Sequence, residues 1–345
     1  MFIHWTFSLL LLWIIISNVR AGVPTADVIW TVLFVLAIFF CVILHEFGHA
    51  LAAQRYGIQT RDIILFPIGG VARLEKLPED PKQELWVAIA GPLVNIVLFI
   101  LLSIYLYASG FEMHEVEDFG IRASTIVPYL ASANLILAIF NLIPAFPMDG
   151  GRVLRAFLSI KLPRAKATQI AGNIGQFLAI LFVFYGLFNN PIMVLIGLFI
   201  FLGAATEVSQ TRNESLLKGF KVKDALMMKF QIIAFDAPLS KAVEKLLNSQ
   251  STHFVVVKDD VPVGTLSRNE IIKGLQEGGE HLLVDQVADL NPLRIETEQD
   301  MDDAWKKMLT NQKKVAFVIE NGHFTGILDQ ENISEFMMVR SALEK

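Results

Sequence analysis

Two histidines and a glutamate with the spacing of a metal site lie in an apolar part of the chain. His45, Glu46 and His49 form a His-Glu-x-x-His pattern inside an apolar run from about Val28 to Ala53. On a helix, residues four apart share one face, so both imidazoles can reach one metal ion and the carboxylate can contact a water on it. If the pattern had arisen by chance, it would be expected on an exposed helix whose histidines are solvated. At membrane depth these polar groups are costly unless they line a wet, functional cavity, so the pattern predicts a metal site.

The composition indicates a membrane protein with room for a second, soluble domain. The chain has 345 residues, of which 54% are hydrophobic and 18% are charged. Its net charge of -5 gives no indication of nucleic acid as a partner, and membrane lipid is the expected surrounding. Cys41 is the only cysteine in the sequence, so an intrachain disulfide and a thiolate zinc site are both excluded.

Six apolar stretches predict an α-helical polytopic membrane domain. They cover approximately residues 4–20, 28–54, 84–108, 124–148, 168–188 and 190–208. The first stretch is expected to be a retained short span rather than a signal peptide, and a signal-anchor role is compatible with this. It has neither a basic segment before it nor a cleavage site of small residues after it.

The distribution of charges predicts how the spans are oriented. Basic residues are concentrated after the second, fourth and sixth stretches, whereas the connection after the third is acidic. The connection after the fourth stretch, for example, contains Arg152, Arg155 and Arg164. The positive-inside bias therefore predicts that both chain termini are cytoplasmic. In this topology His45 and His49 lie in the cytoplasmic third of the second span.

The fourth stretch ends in a segment that can supply a third metal ligand. This stretch runs in the same direction as the second, so Asp149 arrives on the same side of the membrane at a similar depth. Pro144 and Pro147 are expected to break the helix there, and Gly150 and Gly151 allow an open backbone beside the carboxylate. A metal held by two histidines needs a third protein ligand and an open position for water. Alone, the Asp-Gly pair is typical of a turn at a helix end, but beside the histidines the ligand interpretation is favoured.

A short segment between the second and third stretches is predicted to be strand-like or re-entrant and to lie at the membrane edge. Residues 57–74 are too few and too interrupted for a span, with Pro67, Gly69 and Gly70 as breaks. A free edge there could pair with a peptide, and an amphipathic loop packed on the helices is the alternative. Asn95, near the start of the third stretch, is a polar group that needs a partner.

The chain changes character after its last apolar stretch. A polar linker over residues 209–221 precedes a soluble α/β unit in which helix, strand, turn, strand and helix occur twice. The two copies cover residues 222–280 and 281–345, and tandem copies of this kind usually pack face to face around a shared core. The predicted fold is therefore a helical membrane domain, residues 1–208, followed by a C-terminal α/β repeat pair.

These residues together resemble a known protein family. The segment from His45 to His49 and the segment from Asn141 to Gly150 resemble the two motifs of the site-2 protease family, which are intramembrane zinc metalloproteases. The C-terminal repeats resemble a pair of CBS domains, an arrangement found in one branch of these proteases that is related to the sporulation protease group. The resemblance covers essentially the whole chain.

The resemblance implies a role for each site residue. His45, His49 and Asp149 would bind one zinc ion per chain, and Glu46 would be the catalytic residue of a metalloendopeptidase. Asn141 would by analogy hold the substrate backbone or the oxyanion, whereas the sequence alone equally allows it to cap or bridge helices. The substrate would be a transmembrane or membrane-associated protein, cleaved within or next to a transmembrane segment of the cell membrane.

The CBS-like pair is expected to regulate the protease. CBS pairs often bind adenine nucleotides through a serine or threonine and an acidic residue three positions later, and Ser267 and Glu270 supply these in the first copy. The second copy has Asp329 and Asn332, and an aspartate repels an approaching phosphate. We therefore expect at most one nucleotide site. A homodimer interface or a substrate-docking role is the alternative.

Two other functions are compatible with parts of the sequence. The first is a CBS-regulated membrane transporter or channel, which would need ionisable residues along a path through several spans and a repeat within the membrane part. The sequence shows neither, since its intramembrane polar residues cluster at one depth. The second is a catalytically silent protease relative, and the complete set of two histidines, glutamate and aspartate argues against it.

Overall fold

The chain folds into two units. This computed structural model describes residues 2–3, 5–66, 69–74, 78–111, 120–249 and 251–343. The first unit comprises Met1–Thr211 and the second comprises Arg212–Lys345. Most of the acidic connection predicted after the third apolar stretch lies outside the described residues.

The first unit is mainly helical. Its helices and strands are β1 (Phe2–Ile3), α1 (Thr6–Arg20), α2 (Thr25–Gln54), β2 (Thr60–Phe66), β3 (Gly69–Leu74), α3 (Pro81–Ala108), α4 (Ile126–Asn141), α5 (Asp149–Ser159), α6 (Arg164–Asn189) and α7 (Pro191–Leu217). By length and composition α2, α3, α6 and α7 can cross a membrane, whereas α1 and α4 are shorter apolar helices. The helical membrane domain is confirmed, and the number of six spans stays a prediction.

The start of α3 follows from its local sequence. Asp80 accepts hydrogen bonds from the backbone N–H groups of Lys82 at 2.7 Å and Gln83 at 3.4 Å. Pro81 occupies the first helical position, where no N–H donor is required. This cap fixes where α3 begins, and α3 carries several contacts to the candidate site.

The fourth apolar stretch forms a shorter helix than predicted. Helix α4 ends at Asn141, and residues 142–148 form turns before α5 begins at Asp149. The expected break at Pro144 and Pro147 is confirmed, because proline lacks a backbone donor and restricts the residue before it. The predicted span was therefore too long at its C-terminal end.

The strand-like segment before α3 is a β-hairpin. Strand β2 pairs with β3 in antiparallel fashion, from Thr60 opposite Leu74 to Phe66 opposite Gly69. Strand β1 pairs in parallel with β2 on its other side, which gives the order β1-β2-β3. Pro67, predicted to interrupt this segment, lies outside the described residues. Among the described strands, β3 is therefore at an edge of its sheet.

The second unit contains two copies of one pattern. Its elements are β4 (Gln231–Ala234), α8 (Leu239–Asn248), β5 (His253–Lys258), β6 (Val261–Ser267), α9 (Arg268–Gly278), β7 (Leu293–Glu296), α10 (Met301–Thr310), β8 (Val315–Glu320), β9 (His323–Asp329) and α11 (Gln330–Leu343). Each copy has a sheet with one parallel and one antiparallel pair. Val255 of the first copy packs in one cluster with Val315, Phe317 and Ile327 of the second, so the predicted shared core is confirmed.

The predicted polar linker is partly helical. Helix α7 extends to Leu217, into the segment that was predicted to be a linker over residues 209–221. The segment is polar, but it contains neither proline nor glycine before Gly219, so nothing in its sequence ends the helix earlier. Gly219 has a positive φ of 86°, as is common just after a helix.

Candidate metal centre

Helix α2 carries both histidines of the predicted site on its buried side. His45 and His49 are 6% and 5% exposed, respectively. Their Nε2 atoms are 3.1 Å apart, and their ring centroids are separated by 4.8 Å. The four-residue spacing thus places the two rings one turn apart with their outer nitrogens converging.

The carboxylate of Asp149, the first residue of α5, reaches the same point. Its Oδ2 atom lies 3.1 Å from Nε2 of His45 and 3.1 Å from Nε2 of His49, and the residue is 8% exposed. These three side chains form a group that could hold a metal ion, and it is the only such group of His, Cys, Asp and Glu among the described residues. The structure therefore brings together the residues that the sequence predicts as ligands.

The spacing of the three donor atoms fits a zinc ion. With metal–ligand bonds of about 2.0–2.1 Å, tetrahedral geometry separates donor atoms by roughly 3.3 Å. The observed separations of 3.1 Å are close to this value. Two imidazoles and one carboxylate are also a ligand set typical of catalytic zinc, which keeps its fourth position for water or substrate.

Helix α3 holds the far side of each imidazole. Nδ1 of His49 donates to the backbone oxygen of Val87 at 2.7 Å. Nδ1 of His45 donates to Oδ1 of Asn95, whose amide nitrogen donates in turn to Oδ1 of Asn134 on α4 at 2.9 Å. With both protons on Nδ1, both Nε2 lone pairs point toward the carboxylate oxygen, an arrangement that a bound cation stabilises.

Gly91 on α3 leaves room beside the three donor atoms. A Cβ atom at this position would lie 2.2 Å from Nε2 of His49 and 2.7 Å from Nε2 of His45. Any residue with a side chain would thus occupy the space that a metal requires. Gly48 on α2 also packs closely against α3, since a Cβ atom there would lie 2.8 Å from the backbone oxygen of Ala90.

Glu46 lies between the two histidines in sequence and beside β3 in space. Its side chain is partly buried. A Cβ atom at Gly70 would lie 2.8 Å from Cγ of Glu46 and 3.4 Å from its Oε1. The backbone of β3 therefore approaches this carboxylate closely.

Asn141, predicted to hold the substrate backbone or the oxyanion, is engaged within its own helix. Its amide nitrogen donates to the backbone oxygen of Leu137, one turn earlier in α4, at 3.0 Å. This is the local side-chain bond that polar residues often make in apolar helices. The substrate role of Asn141 stays a prediction.

Sequence reasoning missed a buried cluster of charges beside this site. The charge distribution predicts Arg155 to be one of the cytoplasmic charges, but its side chain is fully buried. Its Nε donates to Oε1 of Glu84 at 2.8 Å, and its Nη1 is paired with Glu207. Arg164 lies 3.1 Å from the other oxygen of Glu84. The sequence does contain a signal for this cluster, since acidic residues occur at 84 and 207 within two apolar stretches. A carboxylate in such a stretch needs a basic partner, which must then be buried as well.

In the second unit, Ser267 and Glu270 bond to each other. The Ser267 hydroxyl accepts from the backbone N–H of Glu270 at 3.3 Å, and the Glu270 carboxylate accepts from the backbone N–H of Ser267 at 2.6 Å. This reciprocal pair is a capping box at the start of α9. The two side chains therefore have a structural role, and their part in nucleotide binding stays a prediction.

A cavity of about 220 Å³ lies between the two repeats of the second unit, near the other candidate motif. Its lining includes Asp329, Asn332 and His253. Nδ1 of His253 lies 3.0 Å from the Asp329 carboxylate, and the Asn332 amide donates to the backbone oxygen of Ala225 at 2.6 Å. The cavity thus lies at the motif that was expected to disfavour phosphate.

The sequence is similar to known metalloproteases. The pattern described as Peptidase family M50 matches residues 33–124 and 108–182, and the CBS domain pattern matches residues 222–277. Zinc metalloprotease MJ0392 of Methanocaldococcus jannaschii is 33% identical over 344 residues, covering 99% of this chain and 94% of that protein. Stage IV sporulation protein FB of Bacillus subtilis is 30% identical over 172 residues, which are 49% of this chain and 56% of that protein.

Two solved structures are similar to parts of this chain. The site-2 protease from Methanocaldococcus jannaschii has 40% sequence identity and a TM-score of 0.45, covering 60% of this chain and 89% of that chain. A CBS-domain protein from Agrobacterium tumefaciens has 20% identity and a TM-score of 0.32, covering 34% of this chain and 96% of that chain.

Proposed function

This chain belongs to peptidase family M50, the site-2 proteases, and because it is therefore an intramembrane metalloendopeptidase we propose that His45, His49 and Asp149 hold its catalytic zinc. The observation that carries this proposal is the 3.1 Å triangle of their donor atoms, buried beside Gly91. Zinc is favoured over other divalent ions by the similar protease's name, since imidazole and carboxylate ligands suit several metals.

Glu46 is the proposed general base and acid of peptide hydrolysis. A zinc ion held by His45, His49 and Asp149 would supply Lewis acidity, which would make a water more acidic and polarise the peptide carbonyl. Glu46 then accepts the proton of the attacking water and returns it to the leaving amine. The hydrogen bonds from His45 to Asn95 and from His49 to Val87 keep both rings oriented throughout.

The proposed substrate is a membrane protein cleaved within or next to a transmembrane segment. A helical segment hides its carbonyls in hydrogen bonds, so it must become extended before hydrolysis. Among the described strands, β3 is at the sheet edge, and its Gly70 lies against Glu46. We infer that the extended substrate pairs with β3 by strand addition, which would bring its scissile bond toward Glu46.

The site is proposed to open toward the cytoplasm. The charge bias of the sequence puts the site at the cytoplasmic end of its spans and both termini on that side. Water for hydrolysis would then enter from the cytoplasm. Labelling of single cysteines near each terminus from either side of sealed vesicles tests this orientation. Labelling from the outer side would contradict it.

Metal analysis of detergent-purified protein tests the ligand set. Wild type is expected to contain about one zinc per chain, and His45→Ala and Asp149→Ala are each expected to lose it. Asp27→Ala is the matched control, because Asp27 lies on α2 and pairs with Arg122 at 3.6 Å. Zinc retained by Asp149→Ala would contradict the proposed third ligand. A wild type that takes up no zinc would favour the silent-relative alternative.

The CBS pair is proposed to regulate cleavage through an adenine nucleotide. Support comes from the CBS pattern over residues 222–277 and from the Ser267 and Glu270 motif. Calorimetric titration with AMP and ATP is expected to show binding that Ser267→Ala weakens. Ser249→Ala is a suitable control, since its hydroxyl donates to a carbonyl within α8. An absence of binding would favour homodimerisation or substrate docking.

A further inference from the structure

We propose that Arg155 is a positioning residue that holds α5 in place and thereby keeps the Asp149 carboxylate where a third zinc ligand is needed. Arg155 lies on the same 11-residue helix as Asp149. They are six positions apart, which corresponds to roughly 9 Å along a helix axis. This inference rests on the proposed zinc site and assigns a function to the buried charge cluster beside it.

The Arg155 guanidinium joins α5 to two neighbouring helices. Its Nε and Nη2 both contact Oε1 of Glu84 on α3, at 2.8 Å and 2.6 Å. Its Nη1 is paired with Glu207 on α7. The planar guanidinium with its fixed donors can hold two carboxylates in one geometry, which a lysine ammonium does not do. The position of α5 is therefore set from two sides at once.

The same guanidinium also contacts the turns that lead into Asp149. Its central carbon lies 5.1 Å from the centre of the Phe146 ring, and Phe146 is fully buried three residues before Asp149. A cation over an aromatic face is attractive, most of all in a buried setting. Arg155 thus supports the ligand both through the helix that follows Asp149 and through the turn that precedes it.

Helix α3 supports all three proposed ligands along one stripe. Glu84, Val87, Gly91 and Asn95 follow one another at three- or four-residue intervals, so they share a face. Val87 and Asn95 contact the two histidines, and Gly91 adjoins their Nε2 atoms. Glu84 completes this set through Arg155, because it fixes the helix that carries Asp149.

The charges of the cluster balance, which points to orientation rather than net stability as its role. Arg155 and Arg164 face Glu84 and Glu207, two positive charges against two negative ones. Buried ion pairs generally add little net stability, because desolvation offsets their attraction. Their geometric requirement is strict, however, and a metal ligand displaced by a fraction of an ångström binds more weakly.

The test compares zinc affinity and thermal stability in matched variants. Arg155→Met is expected to lower both, since it leaves Glu207 without its buried partner. Combining it with Glu207→Gln removes that uncompensated charge and is expected to restore stability. Zinc affinity, measured by competition with a chromogenic chelator, is expected to stay about 10-fold below wild type in the double variant. Arg155→Lys keeps the charge without the fork and is expected to show the same loss of affinity.

The visible spectrum of the cobalt-substituted protein separates a positioning role from a purely structural one, because a change in stability alone would leave the spectrum unchanged. The visible spectrum of the Co²⁺-loaded double variant is expected to differ from that of wild type, because the carboxylate ligand is displaced. Arg164→Met is the control, since Arg164 contacts the same Glu84 but lies on α6, which carries no ligand. Its zinc affinity is expected to stay within about two-fold of wild type. Loss of a group that orients a metal ligand typically changes the affinity far more.

Two results would overturn this inference, and they are distinguishable. Wild-type zinc affinity and a wild-type cobalt spectrum in the stable double variant would show that Arg155 does not position Asp149. If Asp149→Ala still lost zinc, the assignment of the three zinc ligands would nevertheless hold. Wild-type affinity in Asp149→Ala would instead overturn the proposed ligand set, and the role of Arg155 with it.

Discussion

Gly91 is a residue whose missing side chain decides whether the site can accept a metal. A Cβ atom there would lie 2.2 Å from Nε2 of His49, which is shorter than any real contact of this kind. The neighbouring backbone belongs to packed helices, so the imidazoles rather than α3 would have to move. Glycine in a helix interior costs about 1 kcal/mol relative to alanine, and the space for the metal explains why it is found here.

Gly91→Ala is therefore predicted to abolish zinc binding while the protein remains folded. The added methyl group displaces the two Nε2 atoms, whereas the intrinsic stability of α3 increases slightly. Zinc content and thermal unfolding of the purified variant measure these two effects. Gly120→Ala, ahead of α4, is the control, because its added Cβ would come no closer than 3.5 Å to the nearest atoms, which belong to the Arg122 side chain. Equal zinc content in both variants would contradict this explanation.

The sequence predicted the candidate ligands better than the groups that orient them. Sequence patterns were sufficient to predict His45, His49 and Asp149, because helical spacing and a helix break place them together. Asn95 was recognised only as a polar group in need of a partner, and its bond to His45 required the packing of α2 against α3. The backbone oxygen of Val87 carries no sequence signal at all, since every residue has one.

At the scale of elements, boundaries depend on packing as well as on composition. The apolar stretch over 124–148 looks continuous, but α4 ends at Asn141 and a separate short helix carries Asp149. Proline positions indicated the break, whereas the start of α5 depends on close packing. A Cβ atom at Gly150 would lie 2.2 Å from the backbone oxygen of Ile143. Such approaches are visible only in the folded structure.

The edge strand β3 is predicted to hold the substrate during cleavage. Cys41 is the only cysteine in the sequence, so Cys41→Ala provides a background in which single cysteines can be placed. In this background with Glu46→Gln, Val71→Cys in β3 is expected to form a disulfide with a substrate cysteine next to the scissile bond. Leu181→Cys, on α6 and 48% exposed, is the control. Equal cross-linking at both positions would contradict strand addition to β3.

At the scale of the whole molecule, the sequence predicted a helical membrane domain and a C-terminal repeat pair. Long apolar runs and a repeated α/β pattern are strong signals, because they reflect what a bilayer and a shared core require. The burial of Arg155 could not be predicted in this way. Its neighbours Arg152 and Arg164 share its position in a basic segment, and only the packing of several helices selects the residue that is buried.

The measurement that tests the central claim most directly is cleavage by Glu46→Gln in proteoliposomes, with zinc content determined on the same preparation. The variant is predicted to keep about one zinc per chain and to cleave a membrane protein substrate at least about 100-fold more slowly than wild type, because it lacks the general base. Glu79→Gln, an exposed change ahead of α3, is the control and is predicted to cleave at the wild-type rate. Cleavage by zinc-loaded Glu46→Gln at the wild-type rate would contradict the proposed mechanism.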